Sequence, residues 1–554
     1  MQRRLFRVLP AFVLVGALSA CGTSSATEPT PAGTEVPGFD RALDHVVSPG
    51  GPDGGTLRLV STRECADWMP ADAWTPWCIN MQRLVTRQLM TYGADTGRRG
   101  SVVVPDLALG GGVPNEDRTE WTYRLKPDVR WEDGAPITVQ EVVQGIERLD
   151  FLRRDISIVD IALGPDDAVS VRLREARTDF DALLALPASA PLPESGAFMA
   201  SGPFRIASRG STTVFERNSQ WDPATDDVRR PRVDRVEFTV LASDAEVSKS
   251  VATGAADLAI QGRMDAAVAD RVMAEPAFAE RSDNPGTGRT VMLAVPANAA
   301  PQLRQVECRK AVYSAVDRLA VARVMAADVE PSELAAEPAT SLSPPTIASF
   351  DWSYQPFAVG DGSGDVDAAR DSLARCGAAS GFALNLVFAD TTTNALIVDV
   401  ISGALARVGI IVNAKPVAPV DYLALTASPT AMQVVGADVA LLVQSPALSG
   451  VWGFWNPLVN GDLVGLGLST NVAQTRIPAV DILLGSTEIT SPEPAVQENI
   501  GRMIDRLVLD SATYIPLAYA KALLHRPSVL TNVTTNGALG NGYDLVNIGV
   551  HRTP

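Results

Sequence analysis

"WTYRLKPDVRWEDGAPITVQEVVQGIERLDF", residues 121–151, changes its period midway, and that change decides the fold class. Trp121, Tyr123 and Leu125 alternate with polar residues, the two-residue period of a half-buried strand, and Val129 with Trp131 begins a second strand. Asp133-Gly134 supplies the turn. Thr138, followed three residues later by Glu141, forms a capping box, after which Val139, Val142, Val143, Ile146 and Leu149 line one side of a helix. Strands and helices alternate irregularly from "GGTLRLV" at 54–60 onward without an internal repeat, which implies α/β lobes rather than a repeat array.

The leading residues are of another kind. Arg3, Arg4 and Arg7 precede an uncharged run from Val8 to Ala20, a secretory signal pattern over 1–20. About 13 helical residues span only about 20 Å, too short for a permanent membrane crossing. Leu18-Ser19-Ala20-Cys21 resembles the lipobox of bacterial lipoproteins, which implies cleavage before Cys21 and acylation of its thiol; the alternative is a soluble secreted protein. Arg3-Arg4-Leu5-Phe6 half-matches a twin-arginine signal. Residues 21–53, crowded with Gly, Pro, Ser and Thr, read as a flexible stalk.

About 530 residues follow the signal, enough for two or three lobes. Without the three signal arginines, 44 basic residues face 64 acidic ones, a net charge near −20. That balance argues against nucleic acid or an anionic membrane surface as a partner. Beyond Cys21 the cysteines number four, an even count that favours disulfides in an oxidising exterior. Pairing Cys65 with Cys78 and Cys308 with Cys376 keeps both bridges local, worth about 3 and about 4 kcal/mol in the chain-entropy estimate; the alternative is buried free thiols. Cys308, Val312, Ala315, Leu319 and Ala322 share one helix face, and Val366, Ala369, Leu373 and Cys376 another, closed by Gly377. No Cys-x-x-Cys is present and His45, His525 and His551 are far apart, so no metal site and no cofactor are expected.

Several stretches carry a likeness in a fixed order: residues 103–143 around the opening stretch, "SGPFRIASRGSTTVFERNSQWD" (201–222), "RPRVDRVEFTVLAS" (230–243), "TGAADLAI" (253–260), "RQVECRKAVYSAVDR" (304–318) and "ATYIPLAY" (512–519). Together they resemble solute-binding protein family 5, the extracellular receptors of peptide and nickel ABC importers, over about residues 56 to 525. The resemblance implies an α/β, two-lobed periplasmic-binding-protein-like clamp (type II, cluster C) with an extra inserted domain. The first lobe would take 54–93, 200–290 and 525–554, the inserted domain 94–199, and the second lobe 291–524. It further implies a monomer outside the cytoplasmic membrane, moored to the bilayer through Cys21, that passes a peptide or peptide-like solute to permease subunits.

Two stretches could touch that solute. The loop "STRECADWMPADAWTPWC" (61–78) gathers Trp68, Trp74 and Trp77 beside Cys65 and Cys78, either as a clamp or as core packing under a lid. After the strand Ala437 to Val443, where peptide binders of the family place an amine-binding aspartate, stand Gln444, Ser445, Pro446, Ala447, Leu448 and Ser449. A buried ammonium without an opposite charge costs several kcal/mol, so a free α-amine has no obvious receptor there. Trp452, Phe454, Trp455 and Asn456 offer an aromatic, uncharged wall instead. Gly-x-Ser-x-Gly, Ser-x-x-Lys, His-Glu-x-x-His and Gly-x-x-x-x-Gly-Lys are all missing, which argues against an enzyme. A surface-tethered hydrolase and an envelope adaptor of the same fold are the rival readings.

Overall fold

The computed structural model describes residues 39–552 apart from 66–67, 153–155, 157, 175, 178, 261–263, 348, 352, 358–360, 447–449, 466–469 and 487–492. The signal, Cys21 and residues 21–38 lie outside the described residues, as do Ala447, Leu448 and Ser449.

Two hydrophobic cores organise the chain. One draws on residues from Ala42 to Leu258 and again from Leu530 to Val550. The other runs from Val291 to Ala518. In the first lobe, Thr56–Ser61 is the pivot of a five-stranded sheet, parallel to Arg235–Val240 on one side and Leu258–Ala259 on the other. Leu57 and Leu59 oppose Val236 and Phe238, and all four are buried. A four-stranded antiparallel sheet, 113–173, packs its apolar residues into the same core. The second lobe is built on six strands, with Gly286–Ala294 between Tyr514–Lys521 and Val439–Gln444.

The opening stretch folds largely as its pattern dictates. Glu120–Arg124 is a strand that buries Trp121 and Tyr123. In the capping box the Thr138 backbone N–H donates to Glu141 Oε2 at 2.8 Å, and the Glu141 N–H donates back to Thr138 Oγ1 at 3.3 Å. The other Glu141 oxygen accepts the Trp131 indole N–H at 3.0 Å. Val139–Leu152 is the helix. Val129–Trp131 is not a strand. Trp131 N–H donates to Ala135 O and Ile137 N–H to Val129 O, both at 2.9 Å, and Arg130 bridges Pro136, so the segment folds back on 135–137 as a tight turn with a single bridge and no strand.

Both disulfides form as paired, with Cα atoms 5.7 and 5.6 Å apart. Cys308 and Cys376 join the helices Val306–Ala315 and Val366–Arg375, and Gly377 follows at φ 72°. The expected continuous face from Cys308 to Ala322 is interrupted: Asp317 accepts the Ala320 N–H at 2.8 Å and caps a second helix, Arg318–Ala326.

The expected stalk is corrected over residues 39–53. Arg41–Asp44 is a short helix with Ala42 fully buried; Ala42 N–H donates to Asp283 Oδ1 at 2.9 Å, Val47 pairs with Val533, and Gly50 N–H donates to Asn532 at 2.8 Å. Backbone groups here find partners on 282–284 and 531–535, which outweighs the composition.

Candidate functional site

Two strands carry the chain between the cores. Ser282–Asp283 pairs with Leu524–His525, and each strand then continues into the second lobe, where Gly286–Ala294 runs beside Tyr514–Lys521. Around this ribbon the polar groups are locked. Asp283 accepts Tyr543 OH at 2.6 Å and pairs with Arg526 at 3.0 Å; burial raises its carboxyl above the usual range, against the pull of Arg526. His525 stacks on Phe278 at 3.8 Å and is pushed down to about 3 by burial and by Arg281, Arg271 and Arg526. Asp40 Oδ1 accepts the Asn284 N–H and Asp40 N–H donates to Ser282 O, so the leading segment runs beside the first of the two crossings.

On the first lobe, next to the ribbon, a small cavity of about 40 Å³ is lined by Trp77, Asn80, Leu258, Ile260, Leu524 and Tyr543. That volume suits water rather than a peptide. Asn541 Nδ2 donates to Gly286 O at 2.9 Å across the same corner. Away from the ribbon the lobes meet again. Arg177, beyond the strand Ala168–Leu173, lays its guanidinium over the Trp452 ring at 5.1 Å while forking onto both oxygens of Asp179 at 2.9 and 3.0 Å. The two lobes thus touch at two places, the ribbon and an aromatic–cation contact.

The structure distributes the sequence candidates unevenly. Trp68 is not a cleft residue: fully buried, it meets Phe215 and Phe238 edge to face at 5.0 and 5.5 Å, and its indole N–H donates to Glu64. Phe454 and Trp455 are also fully buried, and Trp455 donates to Ser349 Oγ at 3.3 Å. These three aromatics are corrected to core packing: Trp68 lies in the first lobe's core, and the helix Val451–Val459 turns Phe454 and Trp455 onto the second lobe's interior. Asn456 is buried and accepts from Asn460 at 2.8 Å. Trp452 and Trp77 are half-buried, Trp74 is exposed at 42%, and Gln444 is buried at the end of its strand. Arg177 escaped the sequence reading.

A family model described as bacterial extracellular solute-binding proteins, family 5, matches residues 102–445, more than half of the chain. The chain belongs to that family. No curated protein matches it in sequence. Among solved structures, the clavulanic acid biosynthesis oligopeptide binding protein 2 is similar at 29% identity, covering 93% of this chain and 99% of that one with a TM-score of 0.85. The periplasmic binding protein DppA from Helicobacter pylori in complex with peptide STSA is similar in fold at 15% identity, 90% and 99% coverage and a TM-score of 0.68. So is the periplasmic murein tripeptide binding protein MppA in its unliganded open form, at 15%, 91% and 98% coverage and 0.70. The two-lobed solute-binding architecture is therefore that of this chain. Among the described residues no helix is long and apolar enough to cross a membrane, and no cluster of metal-ligating side chains occurs.

Proposed function

We propose that the chain is the substrate-binding component of an ABC importer, which captures a peptide or peptide-like solute between its lobes and delivers it to a membrane permease. The observation that carries this reading is the pair of connections between the lobes, the two-stranded ribbon and Arg177 on Trp452. Bodies joined by two strands can rotate about them. A ligand that touches both walls favours the shut arrangement by its differential affinity for the two states. Family membership supports solute binding without catalysis, and the peptide class is supported by what the similar structures are named for.

On this reading the first lobe takes 54–93, 200–290 and 525–554, the inserted domain 94–199 and the second lobe 291–524. Trp74, Trp77, Trp452 and Gln444 are the remaining candidates for ligand contact. Cys21 carries the lipid that holds a monomer outside the cytoplasmic membrane. Thermal melts with and without a random tetrapeptide mixture, paired with small-angle scattering, test the proposal. Ligand at a hundred times its Kd should stabilise by about 2.7 kcal/mol and shrink the radius of gyration. Neither change in the presence of peptide overturns the reading, and cleaved peptide in the mixture replaces it with a hydrolase. Replacing Cys21 by serine should release the protein into the medium.

A further inference from the structure

The first residues of a folded chain fray unless something ties them down. Here the leading segment is tied at two places, and one of them is the connection between the lobes. Asp40 N–H donates to Ser282 O at 3.1 Å, Ala42 N–H donates to Asp283 Oδ1 at 2.9 Å, and Asp40 Oδ1 accepts the Asn284 N–H. Successive residues of the first crossing, 282, 283 and 284, are thus each held by Asp40 or Ala42. To reach them Asp40 adopts φ 60°, a left-handed conformation uncommon outside glycine. Backbone strain of this kind persists only where the surroundings impose it.

The second attachment is to the first lobe. Ala42 O accepts the Thr535 N–H at 2.9 Å, Val47 exchanges backbone hydrogen bonds with Val533 at 2.7 and 3.1 Å, and Ser48 O accepts the Asn532 N–H at 2.9 Å. On the other side of the crossing, Asn284 directs its side-chain amide to Leu334 O at 2.7 Å and Ala522 O at 2.8 Å. Those two residues stand beside the strands Ala336–Pro338 and Tyr514–Lys521 of the second lobe's sheet. A path of hydrogen bonds therefore runs from 532–535 in the first lobe through Ala42, Asp40 and Asn284 to the second. The ribbon itself is only Ser282–Asp283 against Leu524–His525, and two strands that short have little stiffness of their own.

We infer that residues 39–48 form a strap that sets the resting angle between the lobes by holding the first crossing. The inference rests on the rotation about the ribbon proposed above and says what restrains it. Turning the second lobe moves Asn284, whose amide is fixed to that lobe, against 532–535, which stay with the first. The bonds made by Asp40 and Ala42 lie between the two and resist. Hydrogen bonds weaken steeply as they bend or lengthen, so the strap favours the angle at which all of them are well formed. With the strap cut, the unliganded lobes sample a wider range of angles.

The full chain and the variants D40A, A42P and D40N are compared without ligand by hydrogen exchange and small-angle scattering, and the wild type is also measured with the random tetrapeptide mixture. D40A removes the acceptor for Asn284, A42P removes the donor to Asp283, and D40N keeps an acceptor oxygen. In both D40A and A42P, exchange over 280–286 should speed up tenfold or more and the scattering should show a broader spread of lobe separations, with D40N closer to wild type. Exchange in the core strands at 57–60 and 290–294 should stay as in wild type. Unchanged scattering in D40A and A42P, or exchange that quickens equally in the two cores, overturns the strap and leaves the rotation standing. A wild type that binds the tetrapeptide mixture without any change in scattering overturns the rotation and the strap together.

Discussion

In the first lobe, Asp106 takes Arg87 at 2.7 Å and Arg229 at 2.9 Å, Arg229 also reaches Asp226 at 3.1 Å, and Arg83 reaches Asp544 at 3.2 Å, all buried. In the second lobe the deepest carboxyl, Asp505, has no cation; it accepts from Ser341 Oγ and from Leu342 N–H, and burial pushes it up to about 7. Burial tends to raise Asp226 too, but Arg229 and Arg87 hold it well below the usual carboxylate range. The difference follows chain continuity. The first lobe gathers segments from positions 42 to 258 and 530 to 550, and charges of opposite sign tell those pieces where to meet. The second lobe is one run of chain, 291 to 518, and apolar packing suffices.

The strongest way to break this contrast is Asp106→Ala, which strands two buried guanidinium groups and should cost about 3–5 kcal/mol. Urea melts would show it; a loss under about 1 kcal/mol would mean that the network does not hold the first lobe together. Trp455→Ala tests the apolar side, with about 3–5 kcal/mol expected from the cavity and unchanged ligand affinity at temperatures where the variant is folded. Asp505 gives a pH-dependent term of smaller size. Its carboxyl binds a proton up to about pH 7 in the fold but only up to about pH 4 when unfolded, so the stability linked to it is full below pH 4 and lost as pH rises to about 7. Three pKa units correspond to about 4 kcal/mol at most. Asp505→Asn should therefore gain on wild type from pH 4 to 7, and parallel pH profiles of the two would refute the assignment. The smallest effect is expected at the lobe contact: Trp452→Ala removes a cation–π pair of about 0.5–1 kcal/mol, which should open the unliganded protein slightly in scattering without lowering its melting temperature.

Much of the fold was legible because it rests on local signals. The capping box at Thr138 and Glu141, the alternation at Trp121 and Tyr123, the short Cys65–Cys78 loop and the two helix faces that carry Cys308 and Cys376 each depend on residues close in sequence. The second half of the opening stretch differs because Val129 and Trp131 alternate like a strand but pair only with 135–137 across a tight turn, too short a partner for more than one bridge. The site was less legible. An aromatic residue looks the same in sequence whether it faces a core or a cleft, so Trp68 and Trp455 could not be told from Trp74 and Trp452 until the turn of each helix and loop was known. Composition likewise hid the order of residues 39–53, whose partners lie some 240 and 490 positions downstream.

That leading segment has a mechanical corollary. The described chain begins on Ser282 and Asn284, so a tether to the anchor proposed at Cys21 would pull on the axle and not on either jaw. Between Cys21 and Phe39 lie 18 peptide steps, a reach of at most roughly 60 Å. With that proposed anchor, a clamp so hung would gape and shut while its suspension point stays still, leaving both rims free to turn toward whatever receives the cargo.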